Sequence, residues 1–389
     1  MHPLTARPGV QSLRSSKIRE VANVGMGRKD VIAFWFGEPD EVTPDFIRQA
    51  GIEALQKGDT FYTENFGIPE LRETIARYVS ELHAPVCKVT AENITVTSSG
   101  MSALMLANQA LVGPGDRVVI VTPVWPNLVE IPRILGADAV TFALDYTAAG
   151  WKLDLQRLLA TLTPATRMLC INSPNNPTGW TISRDEQRAI LEHCRRHGIW
   201  ILADDAYERL YYGATVAPSF LDIADAGDRL VSANTFSKSW LMTGWRLGWL
   251  VAPSELMPYL GTLTEYNTSC APGFVQRAGI VAIKQGEPVI ARTQQRFRHA
   301  RDFLAARLAE IPGVEAPLPA GAMYTFFKVQ GAADSLAFCK RLIEEVGLGL
   351  APGIAFGPEG EGFIRWCFAS GDERLQQGVE RLRKMIQHH

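Results

Sequence analysis

The segment TFSKSWLMTGWRLG, residues 235–248, sets an amine, Lys238, between Ser237 and Ser239, with Thr235 before it and Arg246 eight residues after it. An ammonium is costly to remove from water, yet the flanks read as interior. RLVSANTF (229–236) alternates as a strand does, and WRLGWLVAP is apolar enough for a second strand. A lysine at such a junction either lays its stem on apolar surface with its head in water or does chemistry. The chemistry open to it is imine formation with an aldehyde, helped by burial and neighbouring charge that lower the pKa of the amine. The hydroxyls and the guanidinium beside it suit the phosphate of the same aldehyde.

The other parts that a phosphate-bearing aldehyde requires occur elsewhere. Its phosphate wants backbone N–H groups at a helix N-terminus, and Ser98-Ser99-Gly100-Met101 lie between the β-rich run ENITVT and the helical SALMLANQALV. A ring that stores electrons needs a carboxylate against its protonated nitrogen. Asp204 closes the strand WILADD in that position, with Asp205 expected to face solvent and Tyr207 following three residues on. Asn176 lies in the proline-punctuated loop NSPNNPTG, and Trp125 in PVWPN offers an aromatic face. Arg365 sits in the apolar run FIRWCF, where burial without an anionic partner is costly, so a substrate carboxylate is its expected partner.

These residues need a scaffold that gathers them. PELRETIARYVSEL (69–82) has helical spacing with Pro69 at its start. ENITVTSSG, DRVVIVTP, TRMLCINSP and WILADDA read as strands, and SRDEQRAILEHCRRHG as a helix opened by a Ser183/Glu186 capping box and ended by basic residues and Gly198. Strands alternating with helices predict an α/β fold, a three-layer α/β/α arrangement with a mostly parallel sheet, whose ligands collect beyond the carboxyl ends of the strands. After about residue 285 the texture changes: a charged helix (287–311), short strands and a last helix, DERLQQGVERLRKMIQ, predict a smaller α+β domain. The expected division is a large domain over 45–285 and a discontinuous small one made of 1–44 plus 286–389.

Bulk properties exclude other classes. With 39 Lys+Arg against 41 Asp+Glu, a net charge of −2 gives no field for nucleic acid or an anionic membrane. Six cysteines without a C-x-x-C pair suit reduced thiols and a cytoplasmic location. The first residues lack the apolar core of a secretion signal, and no run approaches ~18 apolar residues, so neither a leader nor a membrane span is expected. His193 and His197 are spaced i, i+4 on a helix, but without a third ligand they predict no metal site. His388 and His389, native or the start of a tag, are set aside.

In sum the chain resembles the class I/II aminotransferases, pyridoxal-phosphate enzymes with the aspartate aminotransferase fold (fold type I). The likeness runs through FWFGEPD (34–40), YTENFGIPELR (62–72), NSPNNPTG (172–179), DDAYERL (204–210), FSKSWLMTGWRLG and PGIAFGPEGEGFIRWCFA (352–369). It implies a pyridoxal 5'-phosphate cofactor bound through Lys238, which also shuttles the proton at the substrate Cα. Asp204 would pair with the ring nitrogen, Tyr207 and Asn176 would bond its phenolic oxygen, and Trp125 would stack on the ring. Ser99, Gly100, Met101, Thr235, Ser237 and Arg246 would hold the phosphate, joined by Tyr62 from the other subunit of a homodimer. Arg365, Asn176 and the backbone near Gly37 would bind the substrate α-carboxylate.

The fold hosts transamination, β-elimination, decarboxylation and racemisation. Placement of the α-carboxylate by Arg365 favours loss of the Cα proton, so transfer of an L-amino acid's amino group to a 2-oxo acid in two half-reactions is the leading expectation. A β-lyase of the same fold, such as one cleaving C–S bonds, is the alternative. A non-catalytic effector-binding module would need an N-terminal winged-helix extension, for which the resemblance, starting within the first ~35 residues, leaves no room. Some aspartate-using relatives carry a lysine where this chain has Met101, and Trp35 and Phe36 add aromatic surface, so a neutral or apolar side chain is expected in preference to aspartate.

Overall fold

A computed structural model describes residues 4–147 and 149–387; His388 and His389 lie outside them. Its centre is a sheet of seven strands: β1 (Ile94–Thr97), β2 (Arg117–Thr122), β3 (Asp138–Ala143), β4 (Thr166–Asn172), β5 (Trp200–Asp204), β6 (Leu230–Thr235) and β7 (Gly248–Val251). They lie in the order β1-β7-β6-β5-β4-β2-β3. Neighbours pair in parallel except β7, which runs antiparallel to both β6 and β1.

Strand alternation feeds two cores. Val119, Val121, Leu169, Ile171 and Ile201 join one apolar cluster with the helices Pro69–His83 and Arg184–His197. Val118, Ile120, Met168, Cys170 and Leu202 join another with the helices Gly100–Leu111 and Met257–Glu265. Both faces of the sheet are thus covered, which explains why its strands are nearly continuous runs of Val, Ile and Leu. Each such side chain contributes about 1.5–3 kcal/mol by leaving water. The layers are those of an α/β/α sandwich.

Local signals set the element ends. Ser183 Oγ accepts from the Glu186 N–H (3.3 Å) while Glu186 Oε2 accepts from the Ser183 N–H (2.7 Å), and Gly198 closes the helix at φ 67°. The long helix spans Glu287–Ala309 and the last Asp372–Gln387.

The C-terminal part builds an antiparallel sheet of Val314–Glu315, Tyr324–Val329, Phe363–Cys367 and Ala351–Pro352, in that order. The N-terminal Ile32–Ala33 pairs in parallel with Leu348–Gly349, which carries the following Phe34–Asp40 against the strand that bears Arg365. This pairing overturns one expectation. Trp35 does not reach the functional cavity; its indole fills the space left by Gly25 and Gly349, where a Cβ would meet the ring at 3.0 Å or less. Only Phe36 of that pair faces the cavity. Among the described residues no helix is long and apolar enough to cross a membrane.

Candidate active site

The parallel strands deliver their loops to one edge of the sheet. Trp125 follows β2, Asn176 follows β4, Asp204 ends β5 and Lys238 follows β6. Gly100 follows β1, whose direction matches theirs, and Arg246 precedes the reversed β7, so both reach the same edge. There a cavity of about 290 Å³ is lined by Gly37, Gly100, Met101, Trp125, Asn176 and Asp204, and further by Tyr207, Thr235, Ser237, Lys238, Arg246 and Arg365. Of the residues expected at the site, Ser99 and Tyr62 do not line it.

Ser99 sits beneath the cavity as the N-cap of Gly100–Leu111, its Oγ accepting from the Ser102 N–H at 3.2 Å. Its φ is 115°, and that of Arg246 is 56°. Two non-glycine residues held at positive φ cost about 1–3 kcal/mol each, strain of a kind that gathers at binding sites. The gain is access to backbone: a Cβ at Gly248 would lie 2.5 Å from the Gly100 nitrogen, so a glycine there lets β7 pass directly under the helix start. Beside it Thr235 Oγ1 donates to Ser237 Oγ (2.9 Å), and Arg246 donates to the Thr243 carbonyl (2.6 Å) with no ion pair among the described residues. Helix N-terminus, two hydroxyls and an unpaired guanidinium form an anion site.

Lys238 Nζ donates to the Gly37 carbonyl at 2.5 Å and stands 5.7 Å from the centre of the Tyr207 ring. Burial pushes its pKa down to about 8, so about a fifth of the amine is neutral at physiological pH, against about a thousandth at its ordinary pKa. Asp204 is buried and accepts from the Ala206 N–H at 3.2 Å; burial pushes its carboxyl up to about 6, against the opposing pull of that N–H and of Lys238. Tyr207 shares a 2.8 Å hydrogen bond with the hydroxyl of Tyr324, and burial raises both phenols above their ordinary range.

Asp205 is a correction. Instead of facing solvent it is 5% exposed, and its Oδ2 accepts from Ser232 Oγ (2.6 Å) and Ser219 Oγ (3.3 Å). Successive residues of a strand point to opposite faces, and both faces of this sheet are covered, so the neighbour of a cavity residue is buried too. Burial and the nearby Glu208 push its carboxyl up to about 7.

Arg365 is 2% exposed. Its guanidinium lies between the rings of Tyr324 (4.4 Å) and Phe356 (4.8 Å), donates to Asn176 Oδ1 (2.9 Å) and to the Trp35 carbonyl, and leaves Nε without a partner among the described residues. A buried cation with no carboxylate beside it among the described residues is costly unless a ligand supplies one. Tyr324, absent from the sequence reading, binds these halves together. It touches Tyr207 and Arg365 and lies so close to Gly37 that any Cβ there would collide with its hydroxyl. Its only signal was a phenol at the start of the strand YTFFKV. Away from the cavity, His193 directs Nε2 to the Leu162 carbonyl at 2.7 Å.

A buried lysine, a carboxylate, an anion cradle and an unpaired arginine around one cavity now stand beside a family-level match: the model for aminotransferase class I and II covers residues 29–382. The chain belongs to this family. It is a pyridoxal-phosphate-dependent aminotransferase. It is 34% identical over 378 residues to an aspartate aminotransferase of Pyrococcus horikoshii, covering 96% of this chain and 95% of that one. An aspartate aminotransferase structure from Thermotoga maritima superposes with a TM-score of 0.90 at 31% identity, over 98% of this chain and all of that one. An alanine aminotransferase from Pyrococcus furiosus superposes at 0.92 with 25% identity, over 99% of this chain and all of that one. One backbone thus serves enzymes named for an acidic and for a small neutral amino acid, and side chains must choose.

Proposed function

We propose that the aminotransferase site of this chain accepts an amino acid with an uncharged side chain, its α-carboxylate on Arg365 and its amine toward Lys238. The carrying observation is Arg365 itself: buried, pre-oriented by Asn176 and the Trp35 carbonyl, and with a donor to spare. Pyridoxal phosphate, when bound, supplies an aldehyde for the amino group and a protonated ring that takes up the electrons released at Cα.

The residues fit that group in chemistry and number. The N–H groups of Gly100 and Met101, with Thr235, Ser237 and Arg246, would hold its phosphate over the capping Ser99. Asp204 would hold the ring-nitrogen proton, a role suited to a carboxylate kept dry. Tyr207 and Asn176 would face the phenolic oxygen and Trp125 the ring. Lys238 Nζ would hold the cofactor at rest and move the proton at substrate Cα, its lowered pKa matching a general base near neutrality. The wall of Tyr324 and Phe356 excludes water around the carboxylate and strengthens its pairing with Arg365.

Specificity follows from what is left over. Lys238, Arg246 and Arg365 are the cations lining the cavity among the described residues, and each has a role above. The remaining wall includes Ile18, Phe36, Met101 and Leu104. Met101 Sδ accepts from Asn127 Nδ2 (3.3 Å) and offers nothing to a second carboxylate. Adding amino acids singly to purified protein and following the cofactor absorbance tests this. Alanine, leucine or phenylalanine should convert the cofactor to its amine form faster than aspartate does, and Met101→Lys should raise kcat/KM for aspartate about tenfold, worth ~1.4 kcal/mol. A clear win for aspartate in the unsubstituted protein refutes the preference; conversion by no amino acid refutes transamination.

Tyr62 is 88% exposed, and Phe61 and Tyr266 also present rings to solvent. Beside Arg246 a cleft lined by Ser98, Trp245 and Phe274 opens toward the phosphate site. These features support a homodimer in which the partner subunit's Tyr62 enters that cleft. Sedimentation as a monomer with the cofactor fully retained would remove this part of the reading. The division into domains at 45–285 and at 1–44 with 286–389 is supported by the Ile32–Ala33 pairing, and scattered thiols support a cytoplasmic enzyme.

A further inference from the structure

Behind the wall that carries Asp204 and Tyr207 lies a second set of ionisable side chains, whose central pair, His83 and Glu208, is buried, while Arg184 and Glu287 at its margins reach solvent. His83, the last residue of the helix Pro69–His83, directs Nε2 to Glu208 Oε2 (2.9 Å) and Nδ1 to Asp222 Oδ1 (3.0 Å). Arg184 pairs with Asp222 and donates to the Ser219 carbonyl (2.7 Å). On the other side Tyr78 lies 3.5 Å from Glu208 Oε1 and accepts from Arg209 (3.3 Å), which is itself paired with Glu287.

The chain between Asp204 and Leu210 joins this set to the cavity. It forms a tight turn, with the Glu208 N–H on the Asp205 carbonyl (2.9 Å) and the Leu210 N–H on the Tyr207 carbonyl (2.8 Å). Asp204 and Tyr207 look forward into the cavity, whereas Asp205 and Glu208 look back, to Ser219 and Ser232 and to His83. The front of the turn can move only if the back moves.

We propose that His83 is a positioning residue for the reaction: by bridging Glu208 and Asp222 it clamps the back of the 204–210 turn and so sets the placement of Asp204 and Tyr207. The inference rests on the roles proposed for those two residues. A buried network satisfied on both sides rigidifies its surroundings, and loss of one charged member leaves the others uncompensated. Burial by itself would lower the His83 pKa, but the bonds from Asp222 and Glu208 outweigh it and hold it at about 10, above the usual 6.5. The stabilisation from the charged ring is therefore complete below about 6.5 and is lost as pH rises through about 10, so the clamp is closed at neutral pH.

The test compares holoenzymes of the parent, His83→Asn and Glu208→Gln by thermal melting, by kcat and KM, and by pH titration of the bound cofactor's visible absorbance. In His83→Asn the titration midpoint should move by more than about half a unit, and kcat should fall about tenfold with KM within about twofold, as expected of misplaced catalytic groups. Glu208→Gln, which keeps the shape and one hydrogen bond, should change both in smaller measure. Lower melting temperatures with midpoint and kcat unchanged would make the cluster purely structural and overturn the proposal. If neither variant folds, the unsubstituted protein decides. At pH 8.5 its doubly protonated imidazole, seen by 15N NMR, should shift when pyridoxal phosphate is added to cofactor-free protein; an unmoved signal overturns the proposal. Failure of the underlying reading shows separately, as an Asp204→Asn holoenzyme whose absorbance titrates like the parent's.

Discussion

Lys238→Ala protein should lose the visible absorbance of a lysine-bound cofactor and transfer amino groups about 10⁴-fold or more slowly, since one substitution removes both roles proposed for this amine, covalent anchor and proton carrier. No described residue lining the cavity can replace it: among them Arg246 and Arg365 are the other cations, and a guanidinium does not give up its proton. The same amine makes a prediction about pH. Only its neutral form attacks an aldehyde, and burial has brought its pKa to about 8 from 10.5. Capture of pyridoxal phosphate by cofactor-free protein, followed by stopped-flow absorbance, should accelerate with pH and level off above about 8. A rate still climbing near pH 10 would mean that the amine sits in water, and retained absorbance in Lys238→Ala would remove the assignment altogether.

Arg365→Leu should leave cofactor binding intact and lower kcat/KM for every amino acid by about 10²–10³-fold, the cost of a substrate carboxylate stranded in an apolar pocket without its partner. Arg365→Lys should recover little. An ammonium cannot hold the Asn176 oxygen and the Trp35 carbonyl together while presenting a planar fork to a carboxylate. The fall should be shared by donors of every side chain, in contrast to Met101→Lys, which should change only the ranking among them. A loss below about threefold would mean that the carboxylate binds elsewhere. The folded protein carries a cost that a bound carboxylate would relieve: Arg365 is buried with Nε unpartnered among the described residues, so the leucine variant should be no less stable than the parent in the absence of substrate.

The two strained residues beside the proposed phosphate site follow the same logic. Ser99 and Arg246 are held at positive φ, and beside them a helix start, the hydroxyls of Thr235 and Ser237 and the Arg246 guanidinium meet at one cavity. No sequence signal marks them, because serine and arginine are ordinary residues for a loop and only the finished backbone shows the strain.

How much was legible can be judged residue by residue. The strands and helices near the site announced themselves through alternation, the Ser183/Glu186 box and Gly198, and parallel strands necessarily send their following loops to one edge. Lys238, Asp204, Asn176, Trp125 and the Gly100 turn were therefore readable as neighbours in space. Asp205 was misjudged because a local reading sees two adjacent acids and not the second covered face. Trp35 was misjudged because the space it fills belongs to Gly25 and Gly349, the latter more than three hundred residues away.

Sequence alone determined the element types, the edge at which ligands collect and the residue types able to serve a phosphate-bearing aldehyde, since these follow from local periodicity and from motifs contiguous along the chain; the kind of cofactor came with the family resemblance that those motifs carry. Tertiary structure decided which way each group faces, the pKa values of Lys238 and Asp204, the part played by Tyr324 and the existence of the His83 clamp. The reason is physical: desolvation and pairing are set by whatever packs alongside. Here that means Gly37 against Lys238, Asn176 against Arg365 and Glu208 against His83, contacts between residues 201, 189 and 125 positions apart.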